Sequence, residues 1–183
     1  MDEVGRGPLA GPVVAGAVLL HQHSFRSEID DSKLLTPRAR QKAFREILRL
    51  GSVGVGVVFQ EEIDRIGIQA ATHQAMTQAL RRLPRGPELV LIDGLTVPSD
   101  CPFPALPVVN GDARSLSIAC ASIVAKVLRD RWMNRIHRIH PEYGFRHHKG
   151  YGTEHHLRML SLIGPSSFHR YSFQPVKTVE IDE

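Results

Sequence analysis

Two adjacent acidic residues, Asp2 and Glu3, stand near the start of the chain and run almost directly into Gly5-Arg6-Gly7. Neighbouring carboxylates supply the oxygen ligands that hard divalent cations prefer. The glycines let backbone approach a bulky polar ligand closely, and the guanidinium of Arg6 is suited to phosphate. This combination predicts metal-assisted chemistry on a nucleic-acid backbone.

Two further acids extend the candidate set. Asp93 ends the apolar run 89–92, which is typical of a central strand, and functional acids commonly lie at the carboxyl ends of strands in open α/β sheets. Asp130 lies between two arginines in a predicted long helix. Phosphodiester hydrolysis can use two divalent ions held by carboxylates from separate elements, so the four acids together predict a two-metal site. Taken singly, Asp130 also fits a helix ion pair and Asp93 a plain turn.

One geometric condition applies to the first pair. Successive residues on a strand point to opposite faces, so Asp2 and Glu3 can share a site only if the strand ends or bends there. Gly5 permits such a bend.

The composition predicts one globular domain over residues 1–183. Apolar residues make up 42% of the chain and charged residues 23%. No apolar run approaches a membrane span, and no basic region precedes the apolar stretch 12–20, so neither a membrane segment nor a signal peptide is expected. Cys101 and Cys120 have no CxxC spacing and are interpreted as reduced thiols of a cytoplasmic protein.

The charge is unevenly distributed. The net charge is +4, and the stretch 112–158 contains nine Lys and Arg residues against four acids, with six of the ten histidines. A localised basic face is typical of a nucleic-acid-binding protein, although an ordinary solvated helix face has the same pattern. His137/His140 and His155/His156 lack cysteine partners for zinc, so a zinc site is not predicted.

Hydrophobic periodicity predicts a mixed α/β protein. Strands are expected at 13–20, 52–59, 88–93 and 106–109, and helices at 37–50, 69–83, 115–140 and between Thr153 and Gly164. The first helix should bury Ala43, Phe44, Ile47 and Leu48, and the glycines of the second strand should allow close packing. The apolar stripe of the long helix includes Arg129. The tail 176–183 is expected to fray.

Seven short segments, in this order, resemble type 2 ribonuclease H, the bacterial ribonuclease HII. The match covers nearly the whole chain, to about Lys177. The segments are Asp2-Glu3-Val4-Gly5-Arg6-Gly7, Asp31-Ser32-Lys33, Leu91-Ile92-Asp93-Gly94, Gly111-Asp112, Ala121-Ser122-Ile123-Val124-Ala125-Lys126-Val127-Leu128-Arg129-Asp130, His148-Lys149-Gly150-Tyr151-Gly152-Thr153 and His169-Arg170-Tyr171-Ser172-Phe173.

The resemblance implies a ribonuclease H-like fold, in which helices flank a central mixed sheet and a helical C-terminal part, about 141–175, binds substrate. It implies endonucleolytic cleavage of RNA in RNA–DNA hybrids and incision 5′ to single ribonucleotides in duplex DNA, by a monomer. Two Mg²⁺ or Mn²⁺ ions would be the cofactor. Their ligands would be Asp2, Glu3, Asp93 and Asp130.

The resemblance also implies substrate contacts. The backbone of Gly5, Arg6 and Gly7 would read the 2′-hydroxyl that separates RNA from DNA. Tyr151 would pack on the sugar at the RNA–DNA junction. Further phosphate contacts would come from Lys33, Lys149 and Arg170.

In the family pattern a strand precedes the Asp-Glu pair, and here only Met1 precedes it. A shortened first strand would leave backbone groups of the sheet unpaired, and an α-amino group near the metals would oppose cation binding by its like charge. Two alternatives to a ribonuclease stay open. The first is a basic nucleic-acid-binding protein without catalysis. The second, which would have no use for the basic stretch, is a metal-dependent phosphatase acting on small molecules.

Overall fold

The computed structural model describes residues 1–30, 32 and 34–178. Its strands are β1 (Asp2–Val4), β2 (Val13–Leu20), β3 (Gly51–Val58), β4 (Val90–Asp93) and β5 (Ala105–Val108). Its helices are α1 (Pro37–Leu50), α2 (Gln60–Ile66), α3 (Ile68–Arg81), α4 (Gly111–Arg114), α5 (Leu116–Ile139), α6 (Phe145–His148) and α7 (Glu154–Ile163). Two 3-10 turns lie at Pro141–Tyr143 and Val176–Thr178.

The strands form a three-stranded sheet, β1-β2-β3, and a two-stranded sheet, β4-β5. Hydrogen bonds of Met1 place β4 beside β1, so the combined order is β3-β2-β1-β4-β5. β1, β2 and β3 pair antiparallel, with Asp2 opposite Gly16, and β4 pairs parallel with β5. Met1 joins the two halves: its amino group donates to the carbonyl oxygen of Leu91 at 2.6 Å, and Asp93 N–H donates to its carbonyl oxygen at 3.0 Å. This is the pattern of a parallel ladder. Burial lowers the pKa of the amino group to about 6, so above that pH it is mostly uncharged.

Helices cover both faces of the sheet. On one face, α2 and α3 pack against Met1 and the inward side chains of β2. On the other face, α1 and α5 bury a cluster that includes Phe44, Ile47 and Ile123. A third cluster joins the C-terminal end of α5 to the segment 143–176. The acids at the strand ends therefore lie between two rigid helical layers.

The sequence signals for the helix ends are confirmed. The Thr36 hydroxyl accepts a hydrogen bond from Ala39 N at 3.2 Å, and Pro37 occupies the first turn of α1. Thr153 caps α7 in the same way, and Gly164 ends that helix with a φ of 70°.

Several predicted details differ. Leu48 is 50% exposed, because the buried stripe of α1 runs through Arg40, Phe44 and Ile47 and Leu48 lies one residue beyond it. The short helices α2, α4 and α6 were not predicted, since four to seven residues are too few to show helical periodicity. Val176 is buried in the C-terminal cluster, so the start of the predicted frayed tail is packed. Residues 179–183 lie outside the described part.

Over the described ranges, no helix is long and apolar enough to cross a membrane.

Two glycines of β3 allow α3 to lie directly on the sheet. A Cβ placed on Gly54 would lie 2.0 Å from the carbonyl oxygen of Ala79, and one on Gly56 would lie 1.8 Å from that of Ala75. Backbone atoms of a packed helix cannot move aside without separating the layers. The close packing predicted for these glycines is therefore confirmed.

We expect Gly56→Ala to lower the free energy of unfolding by about 2–3 kcal/mol, because α3 must move away from β3. Gly164→Ala is the control: nothing lies within 4 Å of its added Cβ, so only the strain of the positive φ remains, at about 1 kcal/mol. Urea unfolding of both variants measures the difference. Equal losses would show that α3 does not depend on this close approach.

Candidate active site

Asp2 and Asp93 lie side by side at the carboxyl ends of parallel neighbours. Met1 pairs with the residue before Asp93, so the next residue of each strand is a carboxylate. Each contacts a helix of the same face: Asp2 is opposite Gly16, which lies against the α5 backbone, and Asp93 accepts a hydrogen bond at 2.7 Å from the N–H of Gly111, the first residue of α4. The sheet thus brings together two acids that are 91 residues apart.

Asp2 is buried among negative charge. Its side chain is 6% exposed, and burial, followed by the charge of Glu3, raises its pKa to about 7. A hydrogen bond from Ser122 and the N–H of Glu3, 2.7 Å from Oδ1, oppose the shift without cancelling it. A neighbouring cation would therefore stabilise the ionised form of this carboxylate in the folded protein.

Glu3 follows Asp2 on β1, so its side chain leaves the opposite face of the sheet, but its charge still acts on Asp2. Its strand partner, Ala15, packs in the cluster under α3. Burial raises the pKa of Glu3, and the guanidinium of Arg6, 3.5 Å away, opposes this rise. The strand ends one residue later, and Gly5 has a φ of 97°, so the predicted bend after the acidic pair is confirmed.

The structure separates Asp130 from these three acids. Its carboxylate lies 2.8 Å from Lys126 Nζ and 3.6 Å from Arg40 Nη1. Ser122, which contacts Asp2, precedes Asp130 by eight residues on α5, which is about 12 Å along a helix axis. Asp130 therefore pairs α5 with α1, and the reason is the helical rise between the two positions.

Asp112 is a further candidate for the fourth acid of the site. It follows Gly111, the residue whose N–H donates to Asp93, and it is half-buried. Among the described residues, its Oδ1 accepts only the local N–H of Ala113, at 2.9 Å. The sequence did contain a signal for it, since Gly111-Asp112 is one of the segments that resemble ribonuclease HII.

The donor set suits a divalent cation chemically. In the described residues, no three His, Cys, Asp or Glu side chains already converge as a finished ligand set. Nevertheless Asp2, Glu3 and Asp93 interact electrostatically, and two of them have raised pKa values. Carboxylate oxygens are the ligands that Mg²⁺ and Mn²⁺ prefer, so the fit rests on donor chemistry and mutual repulsion.

The loop Gly5–Gly7 and Tyr151 share the surface next to the acids. A Cβ placed on Gly7 would lie 3.7 Å from Cε1 of Tyr151, and Leu9 N–H donates to the carbonyl oxygen of Gly150 at 2.8 Å. The Arg6 guanidinium is half-exposed and donates to Gln69 Oε1 at 2.6 Å. Residues predicted to read one ribonucleotide are therefore neighbours in space.

Two arginines hold this loop from inside. Arg170 is fully buried and donates to the carbonyl oxygens of Gly5, Arg6 and Gly11 at 2.6–3.0 Å. Arg129, also fully buried, donates to carbonyl oxygens on both segments of the surface. Its acceptors are Ala10, Pro12 and Lys149.

The prediction of Arg170 as a phosphate contact is therefore corrected. Its donors face protein carbonyls, and none of its surface reaches solvent. Burial, and then the nearby charge of Arg129, lowers the pKa of Arg170 to about 9, so it stays charged at neutral pH. Arg129 itself was predicted on the apolar stripe of the long helix, and an arginine on such a stripe was the available signal for a buried role.

The two predicted lysine contacts have different outcomes. Lys33 lies outside the described residues. Lys149 is half-buried, and its ammonium donates to Asn134 Oδ1 and to the Arg146 carbonyl oxygen, both at 2.7 Å. An ammonium has three donors, so one stays available for an incoming phosphate.

Comparison with solved structures defines the class of protein. The fold is similar to ribonuclease H2 from Pyrococcus horikoshii OT3, with a TM-score of 0.81 and 25% identity over 97% of this chain and 94% of that chain. It is also similar to a chain of the PCNA:RNase HII complex from Archaeoglobus fulgidus, with a TM-score of 0.77 and 23% identity over 92% and 91% of the two chains. Bst-RNase HIII in complex with Mn²⁺ matches with a TM-score of 0.65, 19% identity and coverage of 97% and 67%. The predicted ribonuclease H-like fold is confirmed.

Sequence comparison then gives the family. The ribonuclease HII profile matches residues 1–176. Ribonuclease HII of Chlamydia trachomatis serovar A is 51% identical over 179 residues, which cover 97% of this chain and 82% of that protein. Ribonuclease HII of Geobacillus thermodenitrificans is 49% identical, with coverage of 97% and 68%. The chain belongs to the ribonuclease HII family and is a metal-dependent ribonuclease H.

We expect Asp2→Asn to stabilise the metal-free protein increasingly as the pH rises from about 4 to about 7. The carboxyl group has a pKa of about 7 in the folded state and an ordinary value of 3.8, so across this window it is ionised in the unfolded chain and must bind a proton on folding, which costs more free energy as the pH rises. The gain in free energy of unfolding should reach on the order of 2–4 kcal/mol above pH 7. Urea unfolding in EDTA across this range measures it.

The exposed Glu28→Gln is the control for that experiment and should change the free energy by less than about 0.5 kcal/mol at every pH. A gain that is independent of pH would show that Asp2 ionises as it does in the unfolded chain.

We expect Arg170→Met to lower the free energy of unfolding by about 3 kcal/mol or more, because buried carbonyl oxygens of the Gly5–Gly11 segment lose their donors. Thermal unfolding measures this loss, with the exposed Arg158→Met as the control. Unchanged stability together with weaker, less salt-dependent binding of nucleic acid would return Arg170 to the role of a phosphate contact.

Proposed function

We propose that this chain hydrolyses the RNA strand of RNA–DNA hybrids and incises duplex DNA 5′ to a single ribonucleotide, leaving 5′-phosphate and 3′-hydroxyl ends. One observation carries the proposal: the carboxylate of Glu3 lies 3.5 Å from the guanidinium of Arg6 in the loop Gly5–Gly7, and the half-exposed ring of Tyr151 lies over Gly7 of the same loop. Chemistry on a phosphodiester and recognition of one nucleotide thus have a common surface.

The metal ligands would be Asp2, Glu3, Asp93 and Asp112. When bound, two Mn²⁺ or Mg²⁺ ions would neutralise negative charge on the attacking and leaving oxygens of the phosphodiester. The pKa of Asp2, which burial and then the charge of Glu3 raise, supports this assignment, because a bound cation favours the ionised carboxylate against both effects. Asp130 would instead tie α5 to α1 through Lys126 and Arg40.

The ribonucleotide would be read by backbone and by one ring. The segment Gly5-Arg6-Gly7 offers amides and carbonyls at a surface where the glycines add no side chain, and a 2′-hydroxyl can both donate and accept. Tyr151, 47% exposed, presents an aromatic surface over Gly7 on which a sugar can pack. Lys149 would add a phosphate contact from the same loop.

Duplex binding would extend along the C-terminal half of the chain. The basic stretch 112–158 remains strongly cationic on its surface even though Arg129 is buried, and such surfaces bind nucleic-acid backbones with strong salt dependence. Its exposed arginines are Arg114, Arg131, Arg135, Arg138, Arg146 and Arg158. The C-terminal part 141–175 as substrate-binding region, the monomeric state and the cytoplasmic location stay predictions.

Cleavage of duplex DNA that carries one ribonucleotide tests the assignment of ligands. With Mn²⁺, the wild-type chain should make one nick on the 5′ side of the ribonucleotide, and EDTA should abolish it. Asp93→Asn and Asp112→Asn should each lower kcat by at least about 10³-fold, since each removes a ligand of the charge-neutralising ions. Substrate binding should persist in both.

Asp130→Asn is the matched variant, and it should keep more than about a tenth of kcat, since its carboxylate only pairs helices. An inactive Asp130→Asn beside an active Asp112→Asn would reverse the two assignments. Salt-sensitive binding of hybrids by the wild type without any metal-dependent nick would instead identify a non-catalytic binding protein.

A further inference from the structure

The backbone that leads into Tyr151 adopts conformations that need support. Lys149 has a φ of 54° and Gly150 a φ of 88°, two consecutive residues in the left-handed region. A side chain at such a φ is uncommon and persists when its surroundings fix it. The ring of Tyr151 itself is half-exposed, so its position depends on its backbone.

Two stacked imidazoles bind this backbone. His148 Nδ1 accepts from Gly150 N–H at 3.2 Å, and its Nε2 lies 2.7 Å from the carbonyl oxygen of Tyr143. His156 Nδ1 lies 2.8 Å from the carbonyl oxygen of Tyr151. The two ring centroids are 4.6 Å apart with an interplanar angle of 14°.

A second buried histidine continues the chain of hydrogen bonds inward. His156 Nε2 lies 2.9 Å from His169 Nε2, and His169 Nδ1 lies 2.9 Å from Ser166 N. Both rings have no solvent-exposed surface. This series of hydrogen bonds therefore leads from Ser166, in the segment after α7, to Tyr151, the residue that covers Gly7.

The carbonyl oxygen at the Tyr151 end fixes the direction of this series of hydrogen bonds. A carbonyl oxygen can only accept, so the proton of His156 is on Nδ1, and its Nε2 accepts from Nε2–H of His169. His169 Nδ1 then has no proton and accepts from Ser166 N–H at 2.9 Å. The same nitrogen lies 3.0 Å from the Ser166 hydroxyl, which can also donate to it, and 3.3 Å from the Ser166 carbonyl oxygen, with which it makes no hydrogen bond in this tautomer.

We propose that His156 and His169 are positioning residues that hold Tyr151 over Gly7 through this one-directional relay, and so set the recognition of the ribonucleotide. The inference rests on the proposed function for the role of Tyr151, but the relay itself does not. Because each N···N or N···O contact takes one proton, a second proton on either ring would place two N–H groups face to face.

The surroundings of the pair keep it neutral. Tyr143 and Phe145 pack against His169, with ring centroids 4.8 and 5.5 Å away, and the titratable groups that face the pair are His140, His148 and His155. Burial lowers the pKa of both relay histidines to about 4. The relay is therefore intact at neutral pH.

Two substitutions at one position separate the two bonds of His156. In His156→Asn, the amide can replace Nδ1–H and donate to Tyr151, while the bond to His169 is lost. In His156→Gln, the longer amide can replace Nε2 and accept from His169, while the bond to Tyr151 is lost. The exposed neighbour His155→Gln is the control for the substitution itself.

Each variant is measured on duplex DNA with one ribonucleotide, with thermal unfolding in parallel. We expect both His156 variants to lose stability, but only His156→Gln to raise KM, by about tenfold, the effect of one lost buried hydrogen bond. His156→Asn and His155→Gln should stay within about threefold of wild type. In a Tyr151→Ala background, His156→Gln should add little, because its effect acts through Tyr151.

Two readouts do not depend on activity. The ¹⁵N chemical shifts of the wild type should show His156 protonated on Nδ1 and His169 on Nε2, and amide exchange at Thr153, which donates to the same Tyr151 carbonyl, should accelerate in His156→Gln alone. An Nε2–H tautomer of His156, or equal KM values for the two His156 variants, would overturn the relay. If the wild type does not cleave but the tautomers agree, the proposed function fails and the relay stands.

Discussion

The candidate site depends on two guanidinium groups in the interior. Arg129 and Arg170 have no exposed surface, and together they donate to the carbonyl oxygens of six residues, five of them in the segment 5–12. Buried charges are costly unless hydrogen bonds replace the water they lose, and here backbone carbonyls replace it. The segment that follows the acidic pair is thereby fixed in place without forming a helix or strand. The position of Tyr151 follows from the same two groups, since Arg129 also binds the Lys149 carbonyl.

The buried guanidinium of Arg129 and the carboxylates of the acidic pair lie close together near Gly5. A Cβ on Gly5 would lie 2.2 Å from Nε of Arg129, while the preceding residues carry the carboxylates of Asp2 and Glu3. The sheet sets the second condition, because parallel pairing through Met1 brings Asp93 level with Asp2. Burial, followed by repulsion from Glu3, raises the pKa of Asp2 and makes a cation favourable there. A rigid cationic support and an anionic site can thus coexist within a few residues.

The sequence predicted more of the fold than of the site. Helix caps at Thr36 and Thr153, the strand ending at Asp93 and the close-packed glycines of β3 are local signals, and the structure confirms them. The roles of Asp130 and Arg170 depended on which side chains meet across the sheet and on burial. Asp130 pairs α5 with α1, and Arg170 binds backbone in the interior, and neither contact follows from a local sequence pattern.

The sequence by itself determined the acidic pair followed by a flexible glycine, the strand that ends in Asp93, and the ordered segments that resemble ribonuclease HII, because these are properties of neighbouring residues. Only the tertiary structure decided that Gly111, next to Asp112, meets Asp93 while Asp130 pairs with Lys126 and Arg40. It also decided that Arg129 and Arg170 point inward and that His156 and His169 form one hydrogen-bonded chain. Those facts depend on the rise of α5 and on contacts between residues 13 to 165 positions apart, and no local pattern encodes such distances.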